Sequence, residues 1–272
     1  GTDVLLGSFP NVLAGAVKVG PSAGSLANVA LRNVATNAPS PLGLDQVTNS
    51  LSVVYDNSSL QLPALNLSGA LTLVSGGTLS QSGAWQVSGL ARLAATNSAA
   101  GAAPDILLGD FGNRFAAPVL VRADGNAQVR AQGNLVVGNW GSGIASNLTL
   151  VASGDLGQTN ALSVGGNSCL RAGGNIAFTN SANDFAGLLT VSNGLDVALV
   201  NANSLAVGGA SSNLTAQALN GNLTLAGYFA TNNLTAVASQ NILQTAGVTV
   251  GNLATLTAQG GDVLLNNAAN DF

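Results

Sequence analysis

One pattern constrains this chain more than any other: it repeats itself, in alternating apolar residues punctuated by turn formers. Leu71-Thr-Leu-Val leads through Leu79-Ser-Gln81 and Trp85-Gln-Val87 to Leu93. The same order returns from Leu148 through Leu156-Gly-Gln158 and Leu162-Ser-Val164 to Leu170. It returns again from Leu234 through Ile242-Leu-Gln244 and Val248-Thr-Val250 to Leu256, without a gap. A chain of this kind is quasi-one-dimensional: each segment packs on its neighbours and length itself is the product. A structural or adhesive role is therefore expected ahead of catalysis.

A second block follows each copy. Asp105-Ile-Leu-Leu with Asn113-Arg-Phe115 corresponds to Asn175-Ile-Ala-Phe with Asn183-Asp-Phe185, and to Asp262-Val-Leu-Leu with Asn270-Asp-Phe272. Gly1-Thr-Asp3-Val-Leu-Leu reads as a diverged form of the same strand. The match holds without an insertion from 105–138 to 175–208. Within this composite unit, short alternating segments recur about every 20 residues, each introduced by Asn or Asp. Asn134, Asp155, Asn175 and Asp196 mark such starts, and Asn241 and Asp262 continue the series.

Strands of three to five residues, separated by Gly, Asn, Asp and Ser, fit one turn of a parallel β-solenoid. The expected fold is all-β, a single-chain parallel β-helix of about 20 residues per coil. Roughly 13 coils stacked at ~4.8 Å would make a rod of about 60–65 Å. Leu148, Leu150, Leu162, Val164 and Leu170 are expected to face inward as vertical apolar columns. Asn and Asp tolerate left-handed corners and can stack into amide ladders. The competing architecture is an array of β-sandwich domains, but no Pro-rich or charged linker separates the repeats.

Composition agrees with a repetitive coil. Apolar residues make up 47% and aromatic residues only 4%, so the core is mostly Leu, Val, Ile and Ala. Charged residues are 7%, with net charge −4 and no His. The absence of Glu and the single Lys18 argue against long helices, and the scattered basic residues argue against nucleic acid. One cysteine, Cys169, permits no intramolecular disulfide; it reads as a small buried residue at the strand position of Ala91 and Ala254. No apolar run is long enough to span a bilayer as a helix, and no signal peptide opens the chain. With no Met, the sequence is expected to be a processed or internal piece of a longer protein.

Residues 1–65 read as diverged, Pro-containing coils, and 66–272 as regular composite repeats of one continuous solenoid. Thr36–Val47 reads as a loop protruding from the rod, and Ala94–Pro104 as a second insertion. Loops on a regular scaffold are where partner specificity usually resides, so both are candidate contact segments.

The Leu-Thr-Leu, Gln-Ser/Thr and Val-Gly-Gly coils, with the strands ending Asn183-Asp-Phe185 and Asn270-Asp-Phe272, carry a resemblance. The sequence resembles the repeats of filamentous-haemagglutinin-like exoproteins and autotransporter passengers of Gram-negative bacteria, over about residues 66–272. That resemblance implies a right-handed β-helix, extracellular or on the cell surface, serving adhesion, biofilm or intercellular contact. It implies self-association or covalent continuation into a fibre, and contacts with glycans or proteins of other cells.

Little in the sequence carries chemistry. Without His there is no nucleophilic triad, and Lys18 is the only amine base. β-Helical polysaccharide lyases and hydrolases use clustered carboxylates; here Asp105 with Asp110, or Asp184 with Asp271, come nearest to a constellation. Asp at repeat corners has an ordinary structural explanation. Gly260-Gly-Asp262 and Gly173-Gly-Asn175 do not recur as calcium-binding nonapeptides, and no phosphate-binding glycine motif appears. The Asn-Leu-Thr/Ser triplets at Asn66, Asn147, Asn213, Asn222 and Asn233 fit glycosylation acceptors, and equally a turn followed by a strand. Trp85 alternates with Val87 and reads as core. Trp140, within Gly138-Asn-Trp-Gly-Ser-Gly143, reads as an exposed turn residue and is the one site residue expected to touch a ligand. The reading is thus a non-enzymatic surface fibre or adhesin stalk with no cofactor. A polysaccharide-cleaving β-helix and a phage-type fibre are the alternatives.

Overall fold

The computed structural model describes residues 2–96, 101 and 103–272. It is an all-β parallel solenoid of about 13 windings at roughly 20 residues each, with no helix among the described residues. No helix there is long and apolar enough to cross a membrane. The chain forms two compact units, Gly1–Gln132 with Val136–Ala145, and Gly133–Leu135 with Ser146–Phe272.

In the first unit one sheet stacks Thr2–Asn11, Leu26–Asn33, Val47–Tyr55, Leu71–Ser75, Ala91–Ala95 and Val119–Ala123 in chain order. A second stacks Leu60–Leu62, Leu79–Gln81, Ile106–Leu108 and Ala127–Ala131, and a third Leu65–Leu67, Trp85–Val87 and Arg114–Phe115. Every neighbour is parallel and one winding away, which a solenoid requires. The register couples Val53, Leu73, Leu93 and Val121 into one inward column, each at most 2% exposed. The residues between them, Ser52, Thr72, Arg92 and Leu120, form the outward column. Alternation with period two thus becomes an apolar interior and a variable exterior.

The second unit has one sheet of Leu148–Ala152, Ser168–Ala172, Leu188–Asn193, Leu205–Ser211, Leu223–Ala230, Ile242–Val250 and Val263–Leu264. The other runs Leu156–Gln158, Ile176–Phe178, Asp196–Asn201, Asn213–Ala218, Asn233–Ala238 and Leu253–Ala258. Leu148, Leu150, Leu162, Val164 and Leu170 are all buried, as expected from alternation. Register partners step Leu148, Ser168, Leu189, Val207, Leu225 along one sheet, four windings in all. The next copy of the repeat then begins at Leu234 on the other sheet. Successive copies are separated by a half-integral number of windings, so one motif is displayed on opposite walls.

One expectation needs correction. The stretch 36–47 is wound into the wall, not protruding. Leu42 is fully buried and its N–H donates to Gln61 O at 3.0 Å, Tyr55 Oη donates to Pro39 O at 3.0 Å, and Gly43–Leu44 pairs with Lys18–Val19. Thr2–Asn11 pairs in parallel with Leu26–Asn33, and Leu5 is 68% exposed. Of the expected insertion 94–104, residues 97–100 and 102 lie outside the described residues.

Candidate functional site

Each winding is tied to the next at its corners. Asn134 Oδ1 accepts from Asp155 N at 2.9 Å, Asp155 Oδ1 from Asn175 N at 2.7 Å, and Asn175 Oδ1 from Asp196 N at 3.1 Å. The column continues through Asn213, whose Nδ2 donates to Asp196 Oδ1 at 2.7 Å and whose Oδ1 accepts from Asn233 N at 3.1 Å. These are the ladders that the recurring Asn and Asp predict. Asn241 and Asp262, read as the same series, belong to a second column: Asn222 Oδ1 accepts from Asn241 N and Asn241 Oδ1 from Asp262 N. At Asn147, Asn213 and Asn222 the amide oxygen is an acceptor for the following winding, as a turn-plus-strand reading requires.

A second device recurs three times, once per copy. Gln81 and Asn113 exchange reciprocal amide hydrogen bonds of 2.8 and 2.9 Å, Gln158 and Asn183 of 2.8 and 3.0 Å, Gln244 and Asn270 of 2.8 and 3.0 Å. The same Asn oxygen also accepts a backbone N–H, from Trp85, Leu162 or Val248. Three residues earlier, Asp110, Asn180 and Asn267 each accept from the backbone N–H two residues on, closing the turn. Gln-Ser/Thr and Asn-x-Phe are therefore the two halves of one staple. At Asn113 and Asn183, which are fully buried, the reciprocal pair satisfies amide groups that water cannot reach.

The carboxylates are used in the same way. Asp105 Oδ1 accepts from Asn126 N at 2.7 Å, Asp110 Oδ1 from Gly112 N at 2.7 Å, and Asp184 Oδ1 from Asn203 Nδ2 at 3.0 Å. Asp271 pairs through its backbone with Thr249. Among the described residues no group of three or more His, Cys, Asp or Glu could hold a metal ion. Lys18 Nζ lies 3.8 Å from Asp45, both well exposed. The perturbed titrating groups are tyrosines: burial pushes Tyr55 and Tyr228 up to about 12, although Tyr228 Oη donates to Ser211 Oγ at 2.7 Å.

Trp85 is fully buried and its Nε1 donates to Pro63 O at 2.9 Å, as a core indole should. Trp140 is not an exposed turn residue. It is half-buried within the strand Leu135–Ile144, at the start of a bulge. The ladder jumps from Val121–Asn139 to Ala123–Ile144, and Gly141 and Gly143 adopt φ of 84° and 86° to let four residues leave it. Arg122 lies across this bulge, its Cδ 3.6 Å from where a Cβ on Gly141 would sit.

Cys169 also departs from expectation. Ser168 pairs with Leu148 and holds the inward position of Ala91, while Cys169 pairs with Thr149 and faces outward, its Sγ 3.4 Å from Ser192 Oγ. A shift of one residue exchanges faces, and the sequence alignment had slipped by one.

Two surface features escaped the sequence reading. Phe229, 48% exposed, lines a groove of about 200 Å³ with Leu195 and Ala210. Phe111, 49% exposed, stacks under the Arg130 guanidinium at 5.0 Å. Comparing outward residues between copies would have exposed the second, since Phe111 corresponds to Ser181 and Arg130 to Val200.

Neither a curated protein nor a solved structure matches the chain at a significant level. A family model described as "Repeats of unknown function (DUF5649)" matches at residues 48–122, 124–192 and 194–272. Those segments cover most of the sequence, each holds the Asn of one Gln–Asn staple, and the chain belongs to that family of β-solenoid repeats.

Proposed function

We propose that this chain is a non-enzymatic structural and adhesive segment of an extracellular fibre or adhesin stalk on a bacterial surface. The observation that carries the reading is where the carboxylates go. Asp105, Asp110, Asp155, Asp184 and Asp196 are acceptors for backbone or amide donors of their own or the next winding. A general acid or nucleophile must instead be aimed at a substrate. The regular interior supplies rigidity, and the variable outward columns supply surface for contact. The resemblance to filamentous-haemagglutinin-like exoproteins supports the same reading. It includes continuation or head-to-tail stacking along the solenoid axis and contacts with glycans or proteins of neighbouring cells. No cofactor enters it.

The test has two arms. Incubation with pectate, alginate and chitin oligomers should release no new reducing ends. Beads coated with the protein should bind bacterial or host cells above a scrambled-surface control. Release of new ends would replace the reading with an enzymatic one, and absence of cell binding would remove its adhesive part.

A further inference from the structure

Where one copy of a repeat departs from its sisters on the outside while matching them on the inside, the departure marks a feature the fold itself does not need. The turn 109–112 is such a place. Inward it keeps the family pattern: Ile106 is buried like Ile176, Phe115 like Phe185, and Asn113 like Asn183. Outward it differs throughout. Phe111 stands where the sisters carry Ser181 and Ala268, Gln128 where the second copy has Ala198, and Arg130 where it has Val200. Asp110 replaces Asn180 and Asn267.

The winding brings Gln128 and Arg130 beside the turn that carries Asp110 and Phe111. Ile106, Leu107 and Leu108 pair with Ala127, Gln128 and Val129, which sets Arg130 beside Gly109. Gln128 Oε1 lies 3.6 Å from where a Cβ on Gly109 would sit, and the Arg130 guanidinium lies 5.0 Å from the Phe111 ring centre. Phe111 remains half exposed. Arg130 Nε is buried and finds no acceptor within the described residues, so no hydrogen bond from that nitrogen holds the guanidinium over the ring. Asp110 Oδ1 is occupied by Gly112 N, and a carboxylate oxygen can still accept from outside.

From this we infer a carbohydrate-binding site, with a pyranose ring of a glycan chain as its ligand. The ring's C–H face packs on Phe111, Arg130 and the Gln128 amide donate to ring and hydroxyl oxygens, and Asp110 accepts from a hydroxyl. The Asp110 carboxylate on the same turn as Phe111 disfavours a bare anion, and the charged rim disfavours an apolar peptide. Alternating donors and acceptors around an aromatic face suit a polyol. The inference rests on the adhesive reading above and gives it a specific contact.

The experiment uses the whole chain, the double substitution Phe111→Ser with Arg130→Val, and three soluble probes: cellotriose, chitotriose and trigalacturonate. The double variant writes the second copy's residues into the first, so its thermal midpoint should match that of the parent. Saturation-transfer NMR should show at least one probe bound by the parent and an affinity loss of about tenfold or more in the variant, as expected when an aromatic platform and its donor are removed together. Binding of none of the three, or equal binding by both proteins, overturns the site. Cell adhesion measured in parallel separates the two claims. Adhesion by a parent that binds none of the three sugars refutes the site and keeps the adhesive reading, whereas sugar binding without any adhesion does the reverse.

Discussion

Asn183, itself without solvent exposure, accepts from Gln158 Nε2 and Leu162 N, and donates to Gln158 Oε1, Phe178 O and Val200 O. Replacing it by Ala strands the buried Leu162 N–H and leaves the half-buried Gln158 amide without its partner. At about 1–3 kcal/mol for each orphaned group, the loss should be on the order of 2–4 kcal/mol. Asn134→Ala removes one acceptor at an exposed corner and should cost about 0.5–1 kcal/mol. Denaturant midpoints of the two variants should separate clearly; equal midpoints would deny the staple its importance. The two tyrosines make a second prediction. Burial raises both to about 12 in the folded state, so the fold favours the neutral phenol. Their contribution is complete below pH 10 and is lost as pH rises through 12, at about 2–3 kcal/mol for each two-unit shift. Stability should therefore fall across that window, and Tyr228→Phe should remove its part of the slope. A stability profile flat to pH 12 would refute this.

At the scale of elements, the walls are interrupted by bulges, and some of these require glycine. Gly209 sits at φ 110° where Leu205–Ser211 slips register against Leu223–Ala230, and a Cβ there would overlap Val191 O of the preceding winding. Gly209→Ala should cost more than about 3 kcal/mol, since backbone has nowhere to retreat between stacked strands. A thermal midpoint within a few degrees of the parent would show that the windings are looser than described. Bulges also decide which residues leave the wall. Trp140, Arg122 and the glycines at 141 and 143 form one such excursion, so a ligand-contacting role for Trp140 requires the bulge, not an exposed loop. Trp140→Ala leaves the Phe111–Arg130 site intact and should leave sugar affinity within twofold of the parent.

On the scale of the whole chain, ion pairs contribute little to holding the windings together. The first unit balances Lys18, Arg32, Arg92, Arg114, Arg122 and Arg130 against Asp3, Asp45, Asp56, Asp105, Asp110 and Asp124. The second sets Arg171 against Asp155, Asp184, Asp196, Asp262 and Asp271, which accounts for the net −4. Arg32–Asp56 at 2.9 Å is the closer of the ion pairs, and it is partly exposed. Stability should therefore rest on apolar columns and inter-winding hydrogen bonds. Raising NaCl to about 1 M, where the screening length falls to about 3 Å, should not lower the thermal midpoint. A drop of several degrees would show that ion pairs matter after all.

Period-two alternation, the recurrence near 20 residues and the Asn and Asp corners were enough to specify a parallel solenoid and its inward residues, because each depends only on a strand and its neighbour one winding away. Leu148, Leu150, Leu162, Val164 and Leu170 were legible for that reason. What the sequence could not show depends on counting windings and locating bulges. Cys169 faces out because pairing, not alignment, sets its parity. Phe111 and Arg130 meet because one winding returns the chain to the same edge. Successive repeats of the second unit occupy opposite walls because a half winding remains between them, and that remainder is set by backbone register accumulated over many residues rather than by any local run.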